Sequence, residues 1–145
     1  MRKPISTLFH GVLDYVTATS YIVLPSVLGF NEPLRKAVQM VGVSKLAVAM
    51  CTDHELGIIR KIPMPAHLAL DCVVGATLVA LPFVTGEEDD VVATSFLVGS
   101  GLFDIAAAPM TQTTPTRRSL PRQAVRETAR YAREATSAVR ESVGV

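Results

Sequence analysis

The chain has 145 residues, enough for one domain, with an apolar fraction of 49%, no tryptophan and a formal charge of +1. That total hides an acidic apolar body and a basic tail: residues 1–110 carry 7 basic and 10 acidic side chains, whereas residues 111–145 carry 7 arginines against 3 glutamates. A disulfide framework is not expected: Cys51 and Cys72 sit in apolar segments at non-equivalent positions and read as buried free thiols.

Met1-Arg2-Lys3-Pro4 resembles the basic start of a secretion signal, but His10 and Asp14 interrupt the apolar stretch and no convincing small-residue cleavage site follows. The segment reads as a retained first helix. Four apolar segments then follow, roughly 5–30, 34–52, 62–86 and 91–109, each near the ~20 residues that a bilayer core requires. The first holds twelve Leu, Ile, Val or Phe residues, worth roughly −4 to −7 kcal/mol on insertion against about +3 for Asp14. It is expected to insert alone. The second and fourth hold six and eight such residues against a central Lys45 or Asp104, so they are expected to need partners. Pro25 and Pro82 fall near the outer ends of helices 1 and 3, where Gly29 and Gly86 close the segments.

The fold class this predicts is all-α: a four-helix transmembrane bundle of residues 1–110, followed by a linker and basic amphipathic helix over 111–145. A soluble four-helix bundle is the alternative, but it requires polar residues on every outward face, and stretches such as 21–30 and 73–84 are apolar all round. Arg2, Lys3, Arg60, Lys61 and the arginines after helix 4 oppose the acidic turn Glu87-Glu88-Asp89-Asp90, which predicts both termini on the cytoplasmic side. Arg35 and Lys36, in the outer loop, oppose that orientation.

The chain also repeats itself at an offset of 57 residues. His10-Gly-Val-Leu-Asp14 returns as His67-Leu-Ala-Leu-Asp71, and Leu24-Pro25-Ser-Val27 as Leu81-Pro82-Phe-Val84. Without a gap the offset also aligns Val41 with Val98, Gly42 with Gly99 and Ala49 with Ala106, giving two tandem hairpins, 5–54 and 62–111. Gly42 and Gly99 read as positions of close helix approach.

The spacing of four places Asp14 beneath His10, and Asp71 beneath His67, on one helical face. Counting about 1.5 Å per residue, Asp14 and Asp71 lie about 14 Å deep, Lys45 about 12 Å and Asp104 about 9 Å. Such groups turn inward and pair. Lys45 is assigned to Asp104, which occupies a nearly equivalent place, with Asp14 and Asp71 as competitors. Three roles fit this layer. It is structural glue holding the bundle together; or His10, Asp14, His67 and Asp71 are ligands of a divalent metal, or the two imidazoles axial ligands of a haem; or the layer relays protons or ions. Asp53 and His54, near the membrane edge, are additional candidates. Their simpler reading is a helix terminus, with Gly57 ending the turn and His54 interacting with the dipole.

The paired helices, the period near sixty residues and the Leu-Pro-x-Val-x-Gly segments resemble the SPW-repeat family of small bacterial membrane proteins. Leu24-Pro25-Ser26 and Leu81-Pro82-Phe83 stand where that family has Ser-Pro-Trp, so only the proline matches, over about residues 5–110. The resemblance implies a multi-pass protein of the bacterial inner membrane and no activity.

In the tail, Val125-Arg-Glu, Ala132-Arg-Glu and Val139-Arg-Glu recur every seven residues. The stripe is too thin for a coiled coil. It fits a helix lying on anionic lipid through Arg122, Arg126, Arg130, Arg133 and Arg140, or a solvated tail. Tyr131 is the only aromatic residue among those arginines, which argues against nucleic acid. No base-activated nucleophile or glycine-rich phosphate loop is recognisable. The expectation is a non-enzymatic membrane scaffold or accessory subunit, working with a membrane protein partner or a second copy of itself. A cofactor-binding redox or ion-handling protein is the alternative.

Overall fold

In a computed structural model, residues 3–115 are described, and they form four α-helices with no strands: α1 (Thr7–Val27), α2 (Glu32–Cys51), α3 (Met64–Thr85) and α4 (Val91–Met110). The proposed tail helix and its five lipid-facing arginines lie outside the described residues.

Local chemistry sets the boundaries. Ser6, Asn31 and Asp90 cap α1, α2 and α4 by accepting from Phe9 N (3.2 Å), Leu34 N (3.0 Å) and both Val92 N and Ala93 N (3.0 Å each). α3 opens on Pro63-Met64-Pro65, where proline costs no helical hydrogen bond. Gly29 (φ 75°) and Gly86 (φ 74°) take the left-handed conformation just beyond α1 and α3, as their positions predict. Both prolines sit in the last turns of those helices.

The other two helices end differently. α2 stops at Cys51, beside the expected segment end at 52, and Gly57 lies beyond it in the connection and does not close the helix, because Thr52 is extended (ψ 144°) and pairs with Ile62 in a short parallel bridge. Thr111 ends α4 in the same way, extended and bridged to Ile5. Each threonine thereby ties the end of one helix to the residues that lead into α1 or α3.

α1 packs chiefly on α2, and α3 chiefly on α4. In each pair a glycine permits the contact: a Cβ on Gly42 would lie 2.9 Å from Ala18 O, and one on Gly101 only 2.4 Å from Gly75 O. Gly99, expected to do this, has open space around it. The reason is register. Buried residues of α1 and α3 correspond at 57 residues (His10/His67, Asp14/Asp71, Ala18/Gly75, Tyr21/Leu78, Pro25/Pro82). Those of α2 and α4 correspond at 59 (Leu34/Ala93, Val38/Leu97, Gly42/Gly101, Lys45/Asp104, Ala49/Ala108). α3 runs 22 residues against 21 in α1, and the 86–90 turn is longer than 28–31, so the gapless alignment slips after the first helix.

Those two turns share one end of the bundle, joined by Asn31 Nδ2 donating to Glu87 Oε1. Beneath them lies an apolar layer of Tyr21, Phe30, Leu34, Val38, Leu78, Ala93 and Leu97. Among the described residues two helices are long and apolar enough to cross a membrane: α3, with mean hydropathy 2.0, and α4, with 1.7. α1, expected to insert most readily, is not among them; His10, Asp14, Thr17, Thr19 and Ser20 dilute its aliphatic residues.

A candidate polar centre

Six ionisable side chains meet between the helix pairs: His10 and Asp14 from α1, Lys45 from α2, His67 and Asp71 from α3, and Asp104 from α4. None is more than 5% exposed. Position is dictated by helical spacing, since residues four apart on α1 and α3 turn the same face to the interior. The contacts cross between helices. His10 Nε2 lies 2.9 Å from Asp71 Oδ2, and His67 Nε2 lies 2.8 Å from Asp14 Oδ2, while the pairs within each helix are longer, at 3.5 Å (His10–Asp14) and 3.2 Å (His67–Asp71).

Each carboxylate uses its second oxygen on the lysine. Lys45 Nζ lies 2.8 Å from Asp71 Oδ1, 3.1 Å from Asp14 Oδ1 and 3.4 Å from Asp104 Oδ1. The expected Lys45–Asp104 pairing is thus the longest of three. Lys45 sits over the Asp14/Asp71 pair, and Asp104 is held from its other side by Tyr21, whose hydroxyl donates to Oδ2 at 3.2 Å. All six residues expected in the polar layer are therefore brought together.

Two further residues fix the imidazoles. Thr52 Oγ1 lies 2.6 Å from Val48 O and 2.8 Å from His67 Nδ1; Thr111 Oγ1 lies 2.8 Å from Ala107 O and 2.9 Å from His10 Nδ1. A carbonyl can only accept, so each hydroxyl proton goes to the carbonyl, and each Nδ1 must donate its own proton to the hydroxyl oxygen. Nδ1 is protonated in both rings. Each Nε2 then faces carboxylate oxygens, an arrangement that is stable only if positive charge lies between them, as a second ring proton or as a cation.

The connection 52–63 covers this end of the bundle. Thr7 Oγ1 donates to both oxygens of Glu55 (2.9 and 2.8 Å), and Tyr15 donates to Leu56 O (3.1 Å). His54 is buried in this connection, its ring centroid 6.2 Å from that of His67, and it fits because Gly11 has no Cβ: one there would lie 2.9 Å from His54 Cε1. Its Nδ1 accepts from Leu56 N (3.1 Å), which leaves the proton on Nε2, a donor without a hydrogen-bond partner among the described residues. Burial, reinforced by the nearby His67, lowers its pKa below the ordinary 6.5. The expectation that His54 serves the helix dipole is therefore corrected, since it follows the helix end and is kept neutral. Asp53 is half-buried, with its N–H donating to Ile62 O (2.8 Å), and is not one of the four residues whose ligand atoms converge.

One Nε2 or carboxylate oxygen from each of His10, Asp14, His67 and Asp71 lies within 4.8 Å of the others. That convergence suits a single ion. It does not suit a haem, because carboxylate oxygens fill the space between the two rings, whose centroids are 5.5 Å apart, and leave no slot for a porphyrin. Comparison with protein-family models, with curated proteins and with solved structures gives no match, so the resemblance to SPW repeats gains no support there.

Proposed function

We propose that this chain is a small multi-pass protein of the bacterial inner membrane, a non-enzymatic scaffold or accessory subunit built from two copies of one helical hairpin around a polar centre. The observation that carries this reading is the inversion of polarity. Among the described residues seven acidic or basic side chains are buried, the six of the centre and His54, while every helix exposes large apolar side chains in its middle turns: Val16 of α1 is 57% exposed, Met40 of α2 71%, Val73 of α3 62% and Leu102 of α4 56%. In water such a distribution forfeits hydrophobic burial and desolvates charge at once; in lipid both features are favourable. The matched contacts of His10 with His67, and of Thr111 with Thr52, support duplication. Basic residues at the 52–63 end and acidic ones at the 86–90 end support cytoplasmic termini. The tail arginines would then lie at anionic headgroups, beside a partner protein or a second copy.

Site-specific labelling tests this topology. In a chain with Cys51 and Cys72 replaced by serine, an impermeant maleimide added to intact spheroplasts is expected to label Asp89→Cys, and Lys61→Cys only after lysis. Equal labelling of both positions from outside would contradict the orientation.

A further inference from the structure

We infer that His10, Asp14, His67 and Asp71 form a binding site for one divalent transition-metal ion, with Thr52, Thr111 and Lys45 as its supporting shell. This goes beyond the scaffold reading and rests on the polar centre itself, whichever solvent surrounds the helices.

Two observations converge. The first is shape. The four His–Asp contacts between Nε2 and Oδ2 atoms span 2.8 to 3.5 Å, and all four ligand atoms lie within 4.8 Å of one another, a spread that one ion with metal–ligand bonds of about 2.0–2.1 Å can bridge. Two imidazole nitrogens and two carboxylate oxygens are a donor set suited to zinc and its first-row neighbours.

The second is the state of the ligands. Metal-bound histidines usually donate their remaining N–H to an oxygen that fixes ring and tautomer. Here both do so, His67 to Thr52 and His10 to Thr111, and in both the hydroxyl is committed in turn to a backbone carbonyl. The carboxylates are oriented likewise: Lys45 engages the Oδ1 atoms of Asp14 and Asp71, turning each Oδ2 toward the imidazoles as a single-oxygen ligand.

The competing solution is an ion-pair cluster held by protons without metal, and the two differ in a measurable way, because an ion that replaces ring protons must release them.

The test uses the full chain, purified in detergent through a tag without histidine, stripped with chelator and titrated with Zn²⁺ and with Co²⁺ as a spectroscopic probe. One ion per chain, the intense visible bands of tetrahedral Co²⁺ and proton release on binding are expected. His10→Ala and His67→Ala are expected to abolish stoichiometric binding. Thr52→Val and Thr111→Val, which keep side-chain shape, are expected to retain wild-type helicity and to weaken affinity about 10–100-fold. Failure of the wild-type chain to take up either ion, leaving a proton-balanced ion-pair cluster, would overturn the inference. So would wild-type affinity in a helical Thr52→Val/Thr111→Val double variant. Membrane insertion is scored separately, so loss of metal binding leaves the lipid reading standing.

Discussion

Lys45→Met is expected to lower the stability of the detergent-solubilised chain by about 3–5 kcal/mol, the cost of stranding buried charge when its partner is removed. The side chain is nearly isosteric, so the loss is electrostatic. Among the described residues Lys45 Nζ is the only cation within 4 Å of the carboxylates of Asp14, Asp71 and Asp104 that does not itself come from a histidine, and each of those groups is at least 95% buried. Removing it leaves three carboxylates facing one another in a low-dielectric interior. Unfolding followed by circular dichroism against denaturing detergent reads the effect. A second variant identifies its cause: adding Asp104→Asn to Lys45→Met removes one stranded charge and should recover part of the loss as a non-additive coupling. An unchanged unfolding midpoint in Lys45→Met would show that the centre is not held by this cation.

Gly101→Ala is expected to destabilise the α3–α4 pair by about 1–3 kcal/mol, in the range of an overpacked interface, whereas Gly99→Ala should stay within about 0.5 kcal/mol of wild type. The two positions are one half-turn apart on the same helix. A Cβ on Gly101 would lie 2.4 Å from Gly75 O, a backbone atom that moves only if the helices separate, and one on Gly99 would meet nothing within 4 Å. Thermal unfolding of the two variants side by side gives the comparison. Equal destabilisation would contradict the packing and the 59-residue correspondence of α2 with α4.

Much of this arrangement is legible in the sequence, and the part that is not has a physical cause. Helix count, the glycine stops at Gly29 and Gly86, and the gathering of His10, Asp14, Lys45, His67, Asp71 and Asp104 all follow from hydropathy and the spacing of four. Those signals are local to one helix. What crosses between helices is harder to read. A gapless offset of 57 hides that Gly101, not Gly99, matches Gly42, and that Thr111 matches Thr52. Allowing two residues for the longer α3 and its turn would have revealed both threonines as paired helix ends beside the histidines. Tyr21 was hidden for another reason, since Leu78 stands at its counterpart and the hydroxyl reaches Asp104 on a different helix. Lys45 faces three carboxylates at once, a choice of partner that depth along a helix does not decide.

The central claim is that lipid, not water, is the solvent of the outer helix faces, and alkaline carbonate extraction of the membranes tests it most directly. Carbonate strips peripheral proteins and leaves spanning ones in the bilayer. The chain is expected to remain in the pellet at high pH and to leave it only with detergent. Recovery in the carbonate supernatant without detergent would contradict the account.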